Sequence, residues 1–328
     1  MADGTKIEWT DATWNIITGC SVVSPGCTNC YAMHLAGTRL QHHPSRAGLT
    51  REGKGGPVWT GETRFNEDWL TVPLKWTRPR RVFVCAHGDL FHRSVSDADL
   101  DRVFAVMAAC QRHTFQVLTK RPERARAYLS GLAREHNRLE ESLQGLGYTT
   151  IYDGTRLVPP WPLPNVWLGV SVEDQTRADE RIPHLLAAPA AVRFLSCEPL
   201  LGAVDATAIR RTQAAGFMRP LDGRFNRIDW VICGGESGPN ARPMDPAWAR
   251  SLRDQCVAAR VPFFFKQWGG WLALSQGAAD NPEVPHLGAF DGRDVLYRVG
   301  KKAAGALLDG REWRQMPGAP VEGAPDAS

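Results

Sequence analysis

Residues 166–198 read VWLGVSVEDQTRADERIPHLLAAPAAVRFLSCE, and this stretch indicates the fold class. Two short runs, Val166–Ser171 and Val192–Ser196, have the β-branched and aromatic residues typical of buried strands. Between them, over Asp174–Ala188, apolar residues recur at intervals of three and four, which predicts a helix. A strand, a helix and a strand in succession form a parallel crossover, so the stretch predicts an α/β fold with a parallel sheet.

The same alternation extends over most of the chain. Further strands are predicted at Trp14–Thr18, Val82–Cys85, Phe115–Thr119, Trp230–Cys233 and Pro262–Lys266. Further helices are predicted at Asp97–Arg112, Pro122–Gln144 and Pro246–Ala259. Polar residues follow several strand ends, where a barrel would gather them on its carboxyl face. We therefore favour a parallel (β/α) barrel, complete or partial, over a doubly wound sheet, although the serines among these residues also suit helix caps.

The chain of 328 residues is expected to form a single barrel domain over 1–315. Stretches rich in Gly and Pro interrupt the pattern, and because strands resume after each one they are interpreted as surface insertions. These insertions are expected near 41–64, 145–165, 203–228 and 271–297. The tail 316–328 is rich in Pro, Gly and Ala, and we expect it to be disordered.

Composition and charge exclude some classes of protein. No apolar run reaches the ~18 residues of a membrane span and no secretion signal opens the chain, so we expect a cytoplasmic protein without a membrane partner. The net charge of +4 is too small to indicate nucleic-acid binding by itself. One basic run, at 112–134, is interpreted either as a solvated helix face or as a contact for phosphates. Its cations are Arg112, Lys120, Arg121, Arg124, Arg126 and Arg134.

Three of the eight cysteines are clustered directly after the first predicted strand. Cys20, Cys27 and Cys30 follow a C-x6-C-x2-C spacing, which allows three readings. The first is a four-iron cluster with one open iron, and the second is a zinc site with His34 as fourth ligand. The third is core packing, disfavoured because Pro, Gly and Asn in the loop make a poor apolar core. The other five cysteines lie in apolar contexts and are interpreted as packing residues.

Motifs along almost the whole chain carry a resemblance to a known family. They are Trp14-Asn15 with Gly19-Cys20, then GCTNCY at 26–31, LTKRP at 118–122, LGVSVE at 168–173, SCEPLL at 196–201, GGESG at 234–238 and FKQWG at 265–269. Together they resemble the phage-associated three-cysteine-motif family of unknown function. That family is in turn similar to radical S-adenosylmethionine (radical SAM) enzymes, which usually space their cysteines C-x3-C-x2-C. The first gap of six found here keeps zinc as an alternative.

The resemblance implies a TIM-barrel-like radical SAM enzyme. Cys20, Cys27 and Cys30 would hold a [4Fe-4S] cluster whose open iron binds S-adenosylmethionine. An electron donor would supply one electron, and the adenosyl radical would abstract hydrogen from a small-molecule substrate, expected to be a nucleobase or nucleotide.

Candidate site residues follow from their places after predicted strands. The cofactor-binding candidates are Gly234, Gly235, Glu236, Ser237 and Ser171, with a tight strand-to-helix connection as the alternative for the glycine motif. The catalytic candidates are Glu173, Glu198 and Lys266, with a stabilising ion-pair network as the alternative. Arg242 is a candidate ligand for a carboxylate or phosphate.

A different class of function also fits the sequence. A zinc-stabilised protein that binds nucleic acid or a protein partner without catalysis would use Lys120, Arg121 and Arg124 for phosphates. The metal bound by the three cysteines separates the two hypotheses.

Overall fold

The computed structural model describes residues 4–135, 137–148, 161–210, 216–223, 226–279, 285–288 and 294–318. Seven strands form one parallel sheet in which spatial order follows sequence order. They are β1 (Ala12–Trp14), β2 (Arg81–Val84), β3 (Thr114–Thr119), β4 (Val166–Ser171), β5 (Val192–Cys197), β6 (Trp230–Gly234) and β7 (Phe263–Gln267). A doubly wound sheet reverses its strand order at a switch point, and this sheet does not. The prediction of an α/β fold with a parallel sheet, wound as in a partial barrel, is confirmed.

Helices separate most of these strands. They are α1 (Tyr31–Gly37), α2 (Asp97–Ala109), α3 (Pro122–Leu132), α4 (Asn137–Gly145), α5 (Gln175–Ala187), α6 (Pro246–Ala258) and α7 (Lys301–Ala304). Local chemistry sets the start of two of them. Ser96 caps α2 by accepting a hydrogen bond from the Asp99 backbone N–H at 3.1 Å, and Asp245 caps α6 through the Ala247 N–H at 2.8 Å. In the described residues, no helix is long and apolar enough to cross a membrane.

Small antiparallel pairs occupy the predicted insertions near 41–64, 203–228 and 271–297. Thr50–Gly53 pairs with Gly56–Trp59, Ile209–Arg210 with Phe217–Met218, and Val295–Tyr297 lies between Leu272–Ala273 and His286–Gly288. Ile17–Thr18 pairs with Arg64–Phe65, and Leu307–Leu308 with Arg311–Glu312. Short 3-10 helices lie at Pro25–Cys27, Glu67–Trp69, Val72–Lys75 and Leu274–Gln276. Most of the insertion at 145–165 and the tail from 319 lie outside the described residues.

The chain forms two compact units. The first comprises Met1–Val170 and Ala187–Arg193, and its core contains the buried rings of Trp14, Phe91, Phe104 and Phe115. The second comprises Ser171–Leu186 and Phe194–Ser328, and its core is built from Phe194, Trp230, Phe263, Phe265 and Trp268. That residues 1–315 form a single domain stays a prediction.

Two predicted elements were wrong in extent. The strand predicted at Trp14–Thr18 breaks after Trp14, because the Asn66 side-chain amide donates to the carbonyls of Asn15 and Ile16 and the chain then pairs elsewhere. The helix predicted at Pro122–Gln144 is two helices, α3 and α4. Arg138 on α4 is bidentate with Asp101 of α2, at 2.8 and 3.0 Å, so α4 is held against α2 by its own ion pair.

Candidate functional site

The three candidate metal ligands lie on a loop of the first unit that is tied to the end of β2. Gly19, just before Cys20, donates its backbone N–H to the His87 carbonyl at 3.1 Å. Gly19 has φ +89°, and a Cβ there would lie 2.3 Å from the Glu62 carbonyl oxygen, so only glycine fits. At the other end, Tyr31 donates its hydroxyl to the Ala86 carbonyl at 2.6 Å. The loop therefore starts and ends against one strand end.

The thiols of this loop are shielded from water. Cys27 is buried, whereas Cys20 and Cys30 are half-buried and pack against the apolar cluster of Ala32, Met33, Ala36, Leu49 and Trp59. Burial raises the pKa of the Cys20 thiol to about 12, and it also raises the pKa of the Cys30 thiol.

Two influences oppose this effect of burial. The Arg121 guanidinium donates to the Cys20 Sγ at 3.6 Å, and Lys120 and the first backbone N–H groups of α1 act on Cys30. Cations and N–H groups at these thiols stabilise the thiolate form that metals bind. Of the residues that the structure describes, no three His, Cys, Asp or Glu side chains are positioned together to hold a metal ion, and the exposed His34 joins no such group.

A buried ion pair supports the cysteine loop. The Asp89 carboxylate accepts from the Arg121 guanidinium at 2.7 Å, the Thr119 hydroxyl at 2.7 Å and the Lys120 backbone N–H at 3.0 Å. Arg121 also donates to the Ser21 hydroxyl at 2.8 Å, next to Cys20, and that hydroxyl lies 3.0 Å from the His92 Nε2. The network thus fixes the start of the loop to the ends of β2 and β3.

The basic run proposed for phosphates is partly engaged inside the protein. The Arg121 side chain is only 14% exposed and pairs with Asp89. Arg124 donates to the Val95 carbonyl at 2.7 Å and pairs with Asp97 at 2.8 Å. Both guanidinium groups therefore already have protein acceptors.

In the second unit each candidate glutamate has a cation. Glu198 and Lys266 form an ion pair at 2.6 Å, which joins two predicted catalytic residues. Glu173 is fully buried and pairs with Arg181 of α5 at 2.9 Å, a partner that the sequence did not indicate. Arg181 also donates to the carbonyl of Ser171 at 2.8 Å. Such pairing is what buried carboxylates require, whether or not they also act on a ligand.

The glycine motif after β6 contacts the loop after β7. A Cβ at Gly235 would lie 1.9 Å from the Trp268 carbonyl oxygen, whereas one at Gly234 would make only ordinary contacts, at 3.5 Å, with Glu198 and the Gln267 carbonyl. Glu236 is buried and held by Arg242, whose Nε donates at 2.8 Å. The fork of Arg242 is thus occupied by Glu236, and Ser237 is exposed.

The remaining cysteines are buried, in agreement with their interpretation as packing residues. They are Cys85, Cys110, Cys197, Cys233 and Cys256. Sequence reasoning missed two other polar residues, Arg46 and His87, whose side chains contact each other at 2.9 Å. A signal was present, because residues 34–51 contain three arginines and three histidines but no Asp or Glu.

Comparison with known proteins gives one match. No curated protein and no solved structure matches the chain. A family model described as "Protein of unknown function (DUF5131)" matches residues 4–317, so the chain belongs to that family.

Proposed function

We propose that the protein is an iron–sulfur enzyme of the radical SAM type, with a [4Fe-4S] cluster on Cys20, Cys27 and Cys30. The observation that carries the proposal is the position of these thiols, on one loop after the first strand of a parallel sheet wound in one direction. Three free thiols within eleven residues suit a cluster with one open iron. With the cluster, S-adenosylmethionine and an electron supplied by a donor, the site would provide an adenosyl radical for hydrogen abstraction from substrate.

The charges around the loop support this proposal. A cluster with three thiolate ligands is anionic, and Arg121 and Lys120 act on two of the three sulfurs with positive charge. Asp89 holds Arg121 in place, so the guanidinium is already oriented toward Cys20 before any ligand binds. The apolar cluster beneath the loop excludes water from the thiol side.

We assign roles in the second unit to residues whose carboxylates are held by cations. Glu198 and Lys266 are proposed to handle protons or orient substrate, and Glu173 is proposed as a further catalytic group. Gly234, Gly235, Glu236, Ser237 and Ser171 are proposed contacts of S-adenosylmethionine. Arg242 fixes one orientation of the Glu236 carboxylate, as expected of a group that must meet a ligand in a single geometry.

Anaerobic purification followed by elemental analysis tests the metal. We expect iron and acid-labile sulfide in a brown protein. Cys27→Ala should lose most of the iron, whereas Cys110→Ala, at a buried cysteine of the same unit outside the loop, should retain it. Stoichiometric zinc in a colourless protein would instead support the zinc-stabilised binding protein. In that case, salt-dependent binding of nucleic acid should weaken on substitution of Lys120, Arg121 and Arg124.

Product analysis tests the activity. The reduced, iron-loaded protein with S-adenosylmethionine should release 5′-deoxyadenosine, and Cys27→Ala should abolish this release. A Cys27→Ala protein that forms the product at the wild-type rate would show that Cys27 is not a cluster ligand.

A further inference from the structure

Arg46 is a buried cation without a carboxylate partner in the described part of the chain. Arg46 is only 4% exposed. The guanidinium donates to the Ser45 hydroxyl, to the Ser45 carbonyl at 3.5 Å and to the His87 Nδ1 at 2.9 Å, and its Nε has no partner. Burial and the like charge of Arg64 lower the pKa of Arg46 to about 10. Buried charges are normally paired, as Arg121 and Arg181 are here, whereas no carboxylate of the described residues pairs with Arg46.

The contact with Arg46 determines which nitrogen of His87 carries hydrogen. A guanidinium can only donate, so the His87 Nδ1 accepts and the hydrogen of the neutral ring lies on Nε2. Burial and the charges of Arg46 and Arg39 lower the pKa of His87 to about 4, which keeps the ring neutral near pH 7. His87 is half-buried, and no hydrogen bond joins its Nε2 to a described residue. The Nε2–H is therefore the donor of this ring that is left for a ligand.

The backbone holds this donor in place beside the cysteine loop. The His87 N–H donates to the Asn15 Oδ1 at 3.1 Å, and its carbonyl accepts from Gly19, one residue before Cys20. The His87 ring also meets the Tyr31 ring edge-on, with centroids 5.9 Å apart. Tyr31 follows Cys30 directly, so His87 contacts residues at both ends of the loop.

Two more arginines, Arg64 and Arg39, add positive charge to this region. Arg64 donates to the carbonyls of Pro44 and Ala47, the second at 2.9 Å, and forms no ion pair with a described carboxylate. Arg39 is exposed and close enough to influence His87. Arg46 and Arg39 thus act on the imidazole, and Arg64 acts on Arg46, a combination of positive charge and an N–H donor that favours an oxyanion.

We propose that His87, with Arg46 behind it and Arg39 beside it, forms an oxyanion subsite that binds a phosphate group of the substrate next to the three-cysteine loop. His87 is the contact residue, donating from Nε2. Arg46 is a positioning residue that fixes the tautomer and supplies positive charge. The bound phosphate provides a counter-charge to Arg46. That the bound phosphate belongs to the substrate rests on the proposed function, whereas the binding of phosphate at His87 does not.

The test is a calorimetric titration of the metal-free full chain with inorganic phosphate at pH 7 and low salt. We expect saturable binding that weakens by about tenfold in both His87→Ala and Arg46→Gln, since the first removes the donor and the second removes the positive charge and the contact that fixes the tautomer. Arg46→Lys keeps a positive donor and should recover most of the affinity. Acetate should bind at least about tenfold more weakly than phosphate, since a monoanion gains less from this charge.

The control is Arg102→Gln, at an arginine of the same unit already paired with Glu67, and it should bind phosphate like the wild type. A second readout is nitrogen NMR of His87, which should report hydrogen on Nε2 in the wild type and a mixture of tautomers in Arg46→Gln. The proposal is overturned by the absence of saturable phosphate binding, by equal affinity in His87→Ala and the wild type, or by acetate binding as tightly as phosphate. None of these results depends on iron, so they are independent of the cluster.

Discussion

At the scale of single residues, the ion pair of Asp89 and Arg121 differs in environment from the surface pairs of the same unit. The two side chains are 5% and 14% exposed, whereas those of Asp11 and Arg81 are 43% and 38% exposed. Removing one member of a buried pair leaves an uncompensated charge in a poorly solvated place. An exposed charge that loses its partner is stabilised by water instead.

We therefore expect Asp89→Asn to lower the free energy of unfolding by about 3 kcal/mol. The matched variant Asp11→Asn should lower it by about 1 kcal/mol or less. Urea denaturation of both variants measures these losses. For each variant, the slope of the unfolding free energy against urea concentration is fitted rather than assumed. Equal losses in the two variants would mean that the Asp89 site is hydrated and that Arg121 finds solvent when its partner is removed.

At the scale of elements, the loop after β6 approaches the loop after β7 closely because Gly235 and Gly269 carry no side chain. The Gly235 N–H donates to the Gln267 carbonyl at 2.8 Å, and Gly270 donates to Glu236 at 2.8 Å. Because a methyl group on Gly235 would overlap the Trp268 carbonyl, Gly235→Ala must push these loops apart. We expect a loss of about 2–3 kcal/mol in the free energy of unfolding.

Gly131 provides the control for this substitution. It lies in α3 with nothing within 4 Å of an added Cβ, so Gly131→Ala should stabilise the protein by about 0.5–1 kcal/mol. Thermal and urea unfolding measure both variants. If Gly235→Ala keeps wild-type stability but loses cleavage of S-adenosylmethionine, then the close approach at Gly235 serves a ligand rather than the neighbouring loop.

The helices and strands were more predictable from the sequence than the long-range contacts that set their ends. The strand Val166–Ser171 has the predicted bounds because its continuous apolar run is needed wherever a strand is covered on both faces. The split after Trp14 was not predictable, because it depends on Asn66, some fifty residues away in sequence. The break between α3 and α4 likewise depends on an ion pair with another helix. Local pattern predicts an element, but long-range hydrogen bonds determine where it ends.

At the scale of the whole molecule, the same distinction separates the predicted and the missed site residues. Glu198 and Lys266 were identified because each lies at or just past the carboxyl end of a strand, and these ends share one edge of a parallel sheet. Arg181 was missed because it projects from a helix, and its neighbour depends on how that helix packs. Arg46 and His87 were missed because a loop with no periodic pattern brings them together. Topology and the members of the Glu198–Lys266 pair could be predicted from the sequence, whereas the charges of Arg181 and Arg46, which depend on tertiary packing, could not.

Acid stability is the last property that follows from the whole set of charges. Burial lowers the pKa of both His87 and His92 to about 4, with neighbouring arginines adding to the effect, and it also lowers the pKa of His113. In the unfolded chain a histidine titrates near ~6.5, so between about pH 6.5 and 4 the unfolded state binds more protons than the folded state. Folding stability is therefore complete above about pH 6.5 and falls as the pH decreases toward about 4.

By pH 4, His87 and His92 should each lower the free energy of unfolding by about 1–3 kcal/mol. His87 should be at the lower end of this range because its ring is partly exposed. Carboxyl groups act in a separate, more acidic window. Hydrogen bonds from Gln276, Arg253 and Arg250 outweigh burial and lower the pKa of Asp309 to about 2, so its contribution is lost only below about pH 4.

Urea midpoints measured from pH 8 to 4 should therefore decline mainly below about pH 6.5. The decline should become shallower in His87→Gln and in His92→Gln but not in His42→Gln, at an exposed position. A profile that is flat down to pH 4, or identical in all three variants, would show that these rings are protonated within the folded protein.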